Sequence, residues 1–318
     1  MYENRRGGAV AEKVVVEHSG RAISEAEVGL ICEMVGLFPG LPLRELACTV
    51  AEQLGWYTAG GAVKTDACSK LLVKLEAAGV LELSERQKRA RVRRPRQSPS
   101  PLTERTAAGA PVAGPLARLQ PVRLRVVEQG QEKELWNEYV ERYHRLGYKQ
   151  PFGYRLRYFI ETPAGTPVGC LLLSGAAKAL GARDRWIGWS DRARLRNLSW
   201  VSANSRFLLF PWVRVKNLAS HVLALLARRF AGDAERRWGF RPVLLESFVD
   251  PRYYRGSCYK AAGWHYVGMT TGEGLVRPGA RYHYTTTPKM IFGKPLDGEF
   301  RRLLCDPQLS EYAGGNRR

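Results

Sequence analysis

The sequence has few of the residue pairs that bind metals or perform histidine chemistry. Its six cysteines show no C-x-x-C spacing, and its five histidines show neither H-x-x-x-H nor the paired spacing of single-strand relaxases. These absences argue against a zinc site, against a site of the H-x-x-x-H type and against relaxase chemistry. We therefore expect free thiols in a reducing compartment.

Long apolar runs are also missing. No uninterrupted apolar stretch approaches the ~20 residues of a membrane span, and the N-terminal MYENRRGG has no apolar core of the signal-peptide kind. We expect a cytoplasmic protein without membrane contact. At 318 residues and 45% hydrophobic content, the chain can form two domains with substantial cores.

Acidic residues are scarce compared with basic ones. Fifty Lys and Arg stand against thirty Asp and Glu, which gives a formal net charge of +20. A surplus of this size favours a polyanionic partner, and DNA is the partner that we expect. Solubility, or a genome rich in Arg codons, would produce the same bias.

The region 20–85 has the pattern of a small helical domain. Apolar spacing predicts helices over 25–35, over 42–54 and after Thr65, with Gly79 at the end of the third. A strand over 80–83 would add a wing, so a winged helix-turn-helix that binds DNA is predicted. A helical bundle without a DNA role remains the alternative.

A basic, Pro-rich linker is predicted over 86–120. Its first part, RQKRARVRRPRQSPSP, contains no acid and includes Arg89, Arg91, Arg93 and Arg94. Such a run repels itself and stays solvated. Phosphate contact without sequence specificity is its expected role, and a plain spacer is the alternative.

The region 121–305 alternates between helical and strand patterns, and a tail over 306–318 follows it. We predict a helix over 132–146, strands over 155–161, 167–174, 207–210 and 243–249, a helix from Leu218 and a short helix ending near Gly263. The fold class is α/β (α+β), with a mixed sheet in this region.

Two segments resemble GNAT-type acyltransferases. Tyr-Lys-Ala-Ala-Gly-Trp, from Tyr259 to Trp264, is similar to the end of a GNAT core. Arg-Val-Lys-Asn-Leu-Ala, from Arg214, resembles the GNAT pyrophosphate loop, although Asn217 and Ala219 replace small glycines. The resemblance implies a GNAT-like sheet, acetyl-CoA as the cofactor, Tyr259 as general acid and Glu246 as base.

A second resemblance covers about residues 20 to 305. The motifs WIGWS, NSRFL, PWVRV, NLASH, ESFVD and GSCYKAAGW are similar to the Druantia anti-phage protein DruA family. This resemblance implies a role in phage defence or in a mobile element, with other defence-system subunits as further expected partners. It implies little about chemistry.

An anion site is predicted around the start of the helix at Leu218, because a helix N-terminus and nearby guanidinium groups both attract phosphate. The residues assigned to it are Arg206, Arg214, Lys216, Asn217, Ser220 and His221. His221 has a packing role as its alternative. Trp186 and Trp189, flanked by polar and basic residues, are the candidates for stacking on unpaired bases.

Four residues are candidates for catalysis: Asp184, Glu246, Asp250 and Tyr259. Glu246 and Asp250, four residues apart along a strand, would hold Mg²⁺ or Mn²⁺ for strand cleavage or transfer. Tyr259, near Arg255 and Lys260, would attack a phosphodiester if it ionised. The alternatives are a turn aspartate, an Arg-paired glutamate and a core tyrosine.

Three function classes follow. The first is DNA binding or processing, with nuclease or strand-transfer chemistry, in phage defence or a mobile element. The second is an acyltransferase that uses acetyl-CoA. The third is a non-enzymatic adaptor that recruits partner subunits.

Overall fold

The computed structural model describes residues 14–58, 63–88, 102–128, 130–148, 151, 153–272, 287–306 and 309. The chain divides into two compact units, Met1–Arg89 and Ala90–Arg318. Arg89, Arg91, Arg93 and Arg94 of the predicted basic linker lie outside the described residues. Within the described ranges, no helix combines the length and apolar character that a membrane crossing needs.

The N-terminal unit is a hairpin followed by helices. Its elements are β1 (Val14–His18), β2 (Arg21–Ser24), α1 (Glu25–Leu37), α2 (Leu43–Gln53), α3 (Thr65–Ala77) and α4 (Glu85–Lys88). Ser24 is the N-cap of α1 and forms a capping box, because its hydroxyl accepts from the Glu27 amide and the Glu27 carboxylate accepts from the Ser24 amide. Apolar faces of α1, α2 and α3 form the core.

The three predicted helices are present, but the predicted strand over 80–83 is wrong. The Val80 amide donates to the Leu75 carbonyl and closes α3, and the Leu83 amide donates to a Glu76 carboxylate oxygen. These bonds replace a strand ladder. The predicted winged helix-turn-helix is therefore not confirmed, and residues 54–64 separate α2 from α3 where a helix-turn-helix has about three or four residues.

The C-terminal unit is built on a seven-stranded mixed sheet. The unit's strands, seven in this sheet and two in a separate pair, are β3 (Val112–Gly114), β4 (Arg123–Val126), β5 (Leu156–Glu161), β6 (Pro167–Gly175), β7 (Val201–Leu209), β8 (Val213–Val215), β9 (Leu244–Val249), β10 (His265–Met269) and β11 (Met290–Pro295). The sheet order is β10-β11-β9-β7-β6-β5-β4, and β3 pairs separately with β8. Within the seven-stranded sheet the β7–β9 pair is parallel and every other pair is antiparallel.

Helices cover both faces of this sheet. They are α5 (Gln131–Tyr143), α6 (Gly181–Ile187), α7 (Asp191–Asn197), α8 (Leu218–Trp238), α9 (Ser257–Ala261) and α10 (Phe300–Cys305). Leu218, Val222 and Phe230 of α8 pack on one face, and Trp136 of α5 packs with Phe159 on the other. The alternation of strand side chains produces the two cores. The helices and strands predicted for this unit are confirmed, with β7 starting six residues earlier than the predicted strand at Phe207.

Residues 102–120, assigned to the linker from sequence, are a folded part of this unit. The Thr106 hydroxyl donates to Glu138 of α5 at 2.7 Å, and the Tyr143 hydroxyl donates to the Thr106 carbonyl at 2.8 Å. Strand β3 pairs with β8 just before α8. The segment therefore supports the loop that leads into α8.

Candidate functional site

The parallel strands β7 and β9 separate towards their carboxyl ends. They pair from Val201 with Leu244 to Asn204 with Ser247, and the rest of β7 pairs with β6 alone. A bulge at Ser205 accompanies the separation. Because both strands run in the same direction, the loops 210–217 and 250–256 leave from the same edge of the sheet. Ligands of open α/β sheets bind at such an edge.

The loop 210–217 presents positive charge at the start of α8. Arg214 and Lys216 are exposed, and Asn217 precedes the helix in a left-handed conformation with φ of 66°. A left-handed residue turns the chain sharply into the helix, in a conformation that glycine adopts more readily than asparagine. The first amides of the 21-residue α8 thus lie beside two cations.

Ser220 and His221 lie in the first turn of α8. The Ser220 hydroxyl donates to the Asn217 carbonyl at 3.0 Å, so its proton is used within the turn. Burial, assisted by Arg228, lowers the pKa of His221 below its ordinary value. A neutral His221 contributes a hydrogen-bonding group rather than a charge.

Arg206 does not join this group. Its Nε donates to the Gly147 carbonyl at 3.0 Å and its Nη1 to the Ser205 carbonyl at 2.7 Å. Register pairs Arg206 with Leu172, which belongs to the core under α5, whereas Asn204 pairs with Leu173 in the core under α8. Assigning Arg206 to the anion site at α8 was therefore wrong, because the bulge at Ser205 moves its side chain to the opposite face.

Trp186 and Trp189 are not a stacking platform. Trp189 is 8% exposed, and its Nε1 donates to Asp184 at 3.1 Å. Trp186 packs on Phe300, with ring centroids 5.1 Å apart. Trp189 belongs to the core around α6, and Trp186 is half-buried and packs against that core. The pair therefore does not form the stacking platform that was predicted.

Asp184 and Glu246 are joined through a buried arginine. Arg183 Nη1 donates to Glu246 Oε2 at 2.9 Å, and Arg183 Nε donates to Asp184 Oδ1 at 2.9 Å. The remaining Glu246 oxygen accepts from the Ala177 amide at 2.8 Å. Both oxygens of Glu246 are thus occupied, and its charge is balanced inside the protein.

Asp250 is held by a different pair of arginines. Its carboxylate accepts from Arg252 Nη2 at 2.9 Å and from Arg145 Nη2 at 3.2 Å. The hydrogen bond from Arg252, aided by the charges of Arg252 and Arg145, lowers the pKa of Asp250 to about 2. Asp250 is therefore a permanent anion that organises its loop.

The donor set does not fit a divalent metal ion. Glu246 and Asp250 each have arginine partners in place of a shared ion, and a guanidinium beside a carboxylate disfavours a second cation there. In the part of the chain that the structure describes, no group of three or more His, Cys, Asp or Glu side chains is placed to hold a metal ion.

Tyr259 lies beside the point where β7 and β9 separate. Its hydroxyl oxygen accepts from Asn204 Nδ2 at 3.3 Å and lies 2.9 Å from Ser247 Oγ, so it contacts the last paired residue of each strand. Burial raises the pKa of the phenol above its ordinary value. Tyr259 therefore keeps its proton near neutral pH, which argues against the phenolate nucleophile and fits a proton donor or a structural hydroxyl.

Sequence reasoning missed the exposed tyrosines of the loop 250–256. Tyr253 is 52% exposed and Tyr254 is 59% exposed. The signal that would have found them is the run Arg-Tyr-Tyr-Arg immediately after a buried strand and a proline. Aromatic residues in a loop beyond the end of a strand do not pack in the core of the sheet and are expected to be exposed.

Family comparison identifies the chain. The model of the family described as Druantia protein DruA matches residues 74–293, which is more than half of the sequence. The chain belongs to the DruA family. No curated protein matches it.

Two solved structures resemble parts of this DruA-family chain. One is an acyl-CoA N-acyltransferase from Klebsiella pneumoniae, with 16% identity, a TM-score of 0.26 and coverage of 45% of this chain and 73% of that one. The other is spermidine/spermine N-acetyltransferase SpeG from Vibrio cholerae, with 11% identity, a TM-score of 0.34 and coverage of 57% and 96%. At these TM-scores neither match supports an argument about activity.

Proposed function

We propose that this DruA-family protein is a DNA-binding component of an anti-phage defence system. The observation that carries the proposal is the cationic start of α8, where exposed Arg214 and Lys216 flank left-handed Asn217. Residues 192–232 contain no Asp or Glu, so no carboxylate of this segment competes with a phosphate. The net charge of +20 extends the same preference to the whole chain.

The contacts of the predicted catalytic residues support DNA binding without strand cleavage. Glu246 and Asp184 share Arg183, and Asp250 is paired with Arg252 and Arg145. Tyr259 is protonated and buried. A partner subunit would then supply the chemistry, and this protein would bring it to DNA.

A second candidate is an acyltransferase that uses acetyl-CoA. Its support is the separation of β7 and β9, with a protonated Tyr259 beside it, and the left-handed Asn217 in the loop that resembles the GNAT pyrophosphate loop. The base expected for that reaction, Glu246, is engaged by Arg183 and the Ala177 amide. The residues therefore favour DNA binding over acyl transfer.

The test is the salt dependence of duplex binding by the full chain. Replacing Arg214 and Lys216 with Gln should reduce the slope of log K against log salt by about 2, since each neutralised phosphate contributes about 0.9. The control replaces Arg236 and Arg237, which are exposed at the other end of α8. Because both variants lose two charges, an equal fall in slope would refute a local phosphate site.

Two further arms separate the remaining candidates. Replacing Arg89, Arg91, Arg93 and Arg94 with Gln should lower the slope independently if the basic linker contacts phosphate. Acetyl-CoA is titrated into the same preparation. Saturable acetyl-CoA binding that disappears in the Arg214 and Lys216 variant, together with no affinity for DNA, would favour the acyltransferase.

A further inference from the structure

The loop 250–256 holds two exposed tyrosines in a fixed arrangement. The Asp250 carbonyl accepts from the amides of Tyr253 and Tyr254 at 3.1 and 3.0 Å. The Asp250 carboxylate accepts from the Arg252 amide and from Arg252 Nε, both at 3.1 Å. These hydrogen bonds fix the backbone of the loop in the unbound protein. Binding at the rings therefore costs little conformational entropy.

A residue from a distant part of the chain, just after α5, supports the same loop. The Arg145 guanidinium lies 3.6 Å from the ring centroid of Tyr253 and also donates to Asp250. The rings of Tyr253 and Tyr254 are 6.5 Å apart and tilted by 52°, so they do not cover each other face to face. Tyr254, the more exposed of the two, keeps a ring face for another aromatic system.

The charge around the rings suits a phosphodiester strand. Arg145, Arg252 and Arg255 are exposed, and Asp250 is the loop's one carboxylate. The loop also leaves the sheet at the same edge as the cationic loop 210–217, because β7 and β9 are parallel. An aromatic face beside exposed arginines combines the two elements from which single-strand binding sites are built.

We propose that Tyr253 and Tyr254 form a stacking platform for the bases of single-stranded DNA. This inference rests on the proposed DNA-binding function and specifies its ligand. The strand's phosphates contact the arginines of the loop, and one or more unpaired bases stack on the tyrosines, chiefly on Tyr254. Binding at this site is independent of the DNA sequence, because every base offers a flat face for stacking.

The experiment compares two single-stranded probes that differ only in their bases. A labelled oligo-dT and an abasic strand of equal length are titrated into the full chain by fluorescence anisotropy, with a duplex as third probe. Wild-type protein should bind oligo-dT about tenfold more tightly than the abasic strand. Tyr254→Ala should remove most of that preference, and Tyr254→Phe should retain it because the ring remains.

The control is Tyr266→Ala, which removes another tyrosine, 52% exposed, from β10. It should keep the preference for oligo-dT. Full preference in Tyr254→Ala, or no preference in wild-type protein that still binds duplex, would overturn the platform and leave the proposed function standing. Wild-type protein that binds none of the probes would refute the proposed function, and the platform with it.

Discussion

Arg183 and Glu246 form an ion pair inside the protein, with Arg183 Nη1 2.9 Å from Glu246 Oε2 and each side chain 1% exposed. Arg183 lies in α6, and Glu246 lies in β9, the strand that pairs with β7 up to the point where the two strands separate. An isolated buried charge costs several kcal/mol, so each residue requires the other. The pair therefore fixes the position of α6 on the sheet.

Glu246→Gln should destabilise the protein by about 3 kcal/mol, because Arg183 would lose a charged partner while it keeps Asp184. The measurement is the free energy of unfolding in urea. Asp191→Asn is the control, since Asp191 pairs with Arg194 but its side chain is 91% exposed, and its loss should cost less than about 1 kcal/mol. A Glu246→Gln protein with wild-type stability that lost a DNA-dependent activity would show that Glu246 is catalytic.

The lowered pKa of His144 predicts that stability depends on pH. Burial, with the charges of Arg206 and Arg145, lowers its pKa from 6.5 to about 4. The unfolded chain therefore binds the proton first, so the stabilisation is complete above about pH 6.5 and is lost as the pH falls to about 4. Between pH 7 and pH 4.5 wild-type protein should lose about 1–2 kcal/mol more than His144→Asn, allowing for screening at the partly exposed ring. Equal losses in urea unfolding would contradict this pKa.

Periodicity predicted the helices and central strands of the C-terminal unit because their cores repeat at regular spacing. α8 follows the apolar spacing from Leu218 to Phe230, and β5 and β6 flank the turn around Gly165 as expected. The spacing of apolar residues was sufficient there, because each apolar side chain lies on the buried face that the period of its helix or strand predicts.

Side-chain direction was predictable only where the period is unbroken. One bulge at Ser205 places Arg206 and Asn204 on opposite faces, and no feature of NSRFL reveals it. Likewise, Glu246 pairs with Arg183, 63 residues away, and Asp250 pairs with Arg145, 105 residues away, in addition to its neighbour Arg252. In the N-terminal unit, by contrast, the β1–β2 turn at Ser19 and Gly20, both with positive φ, has a local signal that was missed.

Gly256 ends the tyrosine loop at a position that no side chain fits. Its φ is +68°, and an added Cβ would lie 2.5 Å from the Phe292 ring, which stacks on Tyr259. Gly256→Ala should lower the free energy of unfolding by about 2–4 kcal/mol, from backbone strain and overpacking together. The matched control is Gly239→Ala, where φ is +83° but nothing lies within 4 Å. It should cost about 1 kcal/mol, and equal losses in the two variants would show that Phe292 yields.

Substitutions of Asp250 test whether this residue positions the loop or binds a metal ion. Asp250→Ala removes the acceptor for Arg252 and Arg145 and should loosen the loop that presents Tyr253 and Tyr254. We expect affinity for oligo-dT to fall about fivefold, less than the loss of one stacking contact, with duplex binding almost unchanged. Because the cause is loop geometry, the fall should be the same in Mg²⁺ and in EDTA, and Asp250→Asn should restore part of it by accepting from the Arg252 amide. A defect confined to Mg²⁺-containing buffer, with no rescue by Asn, would instead assign Asp250 to a metal site and return strand chemistry to this edge of the sheet.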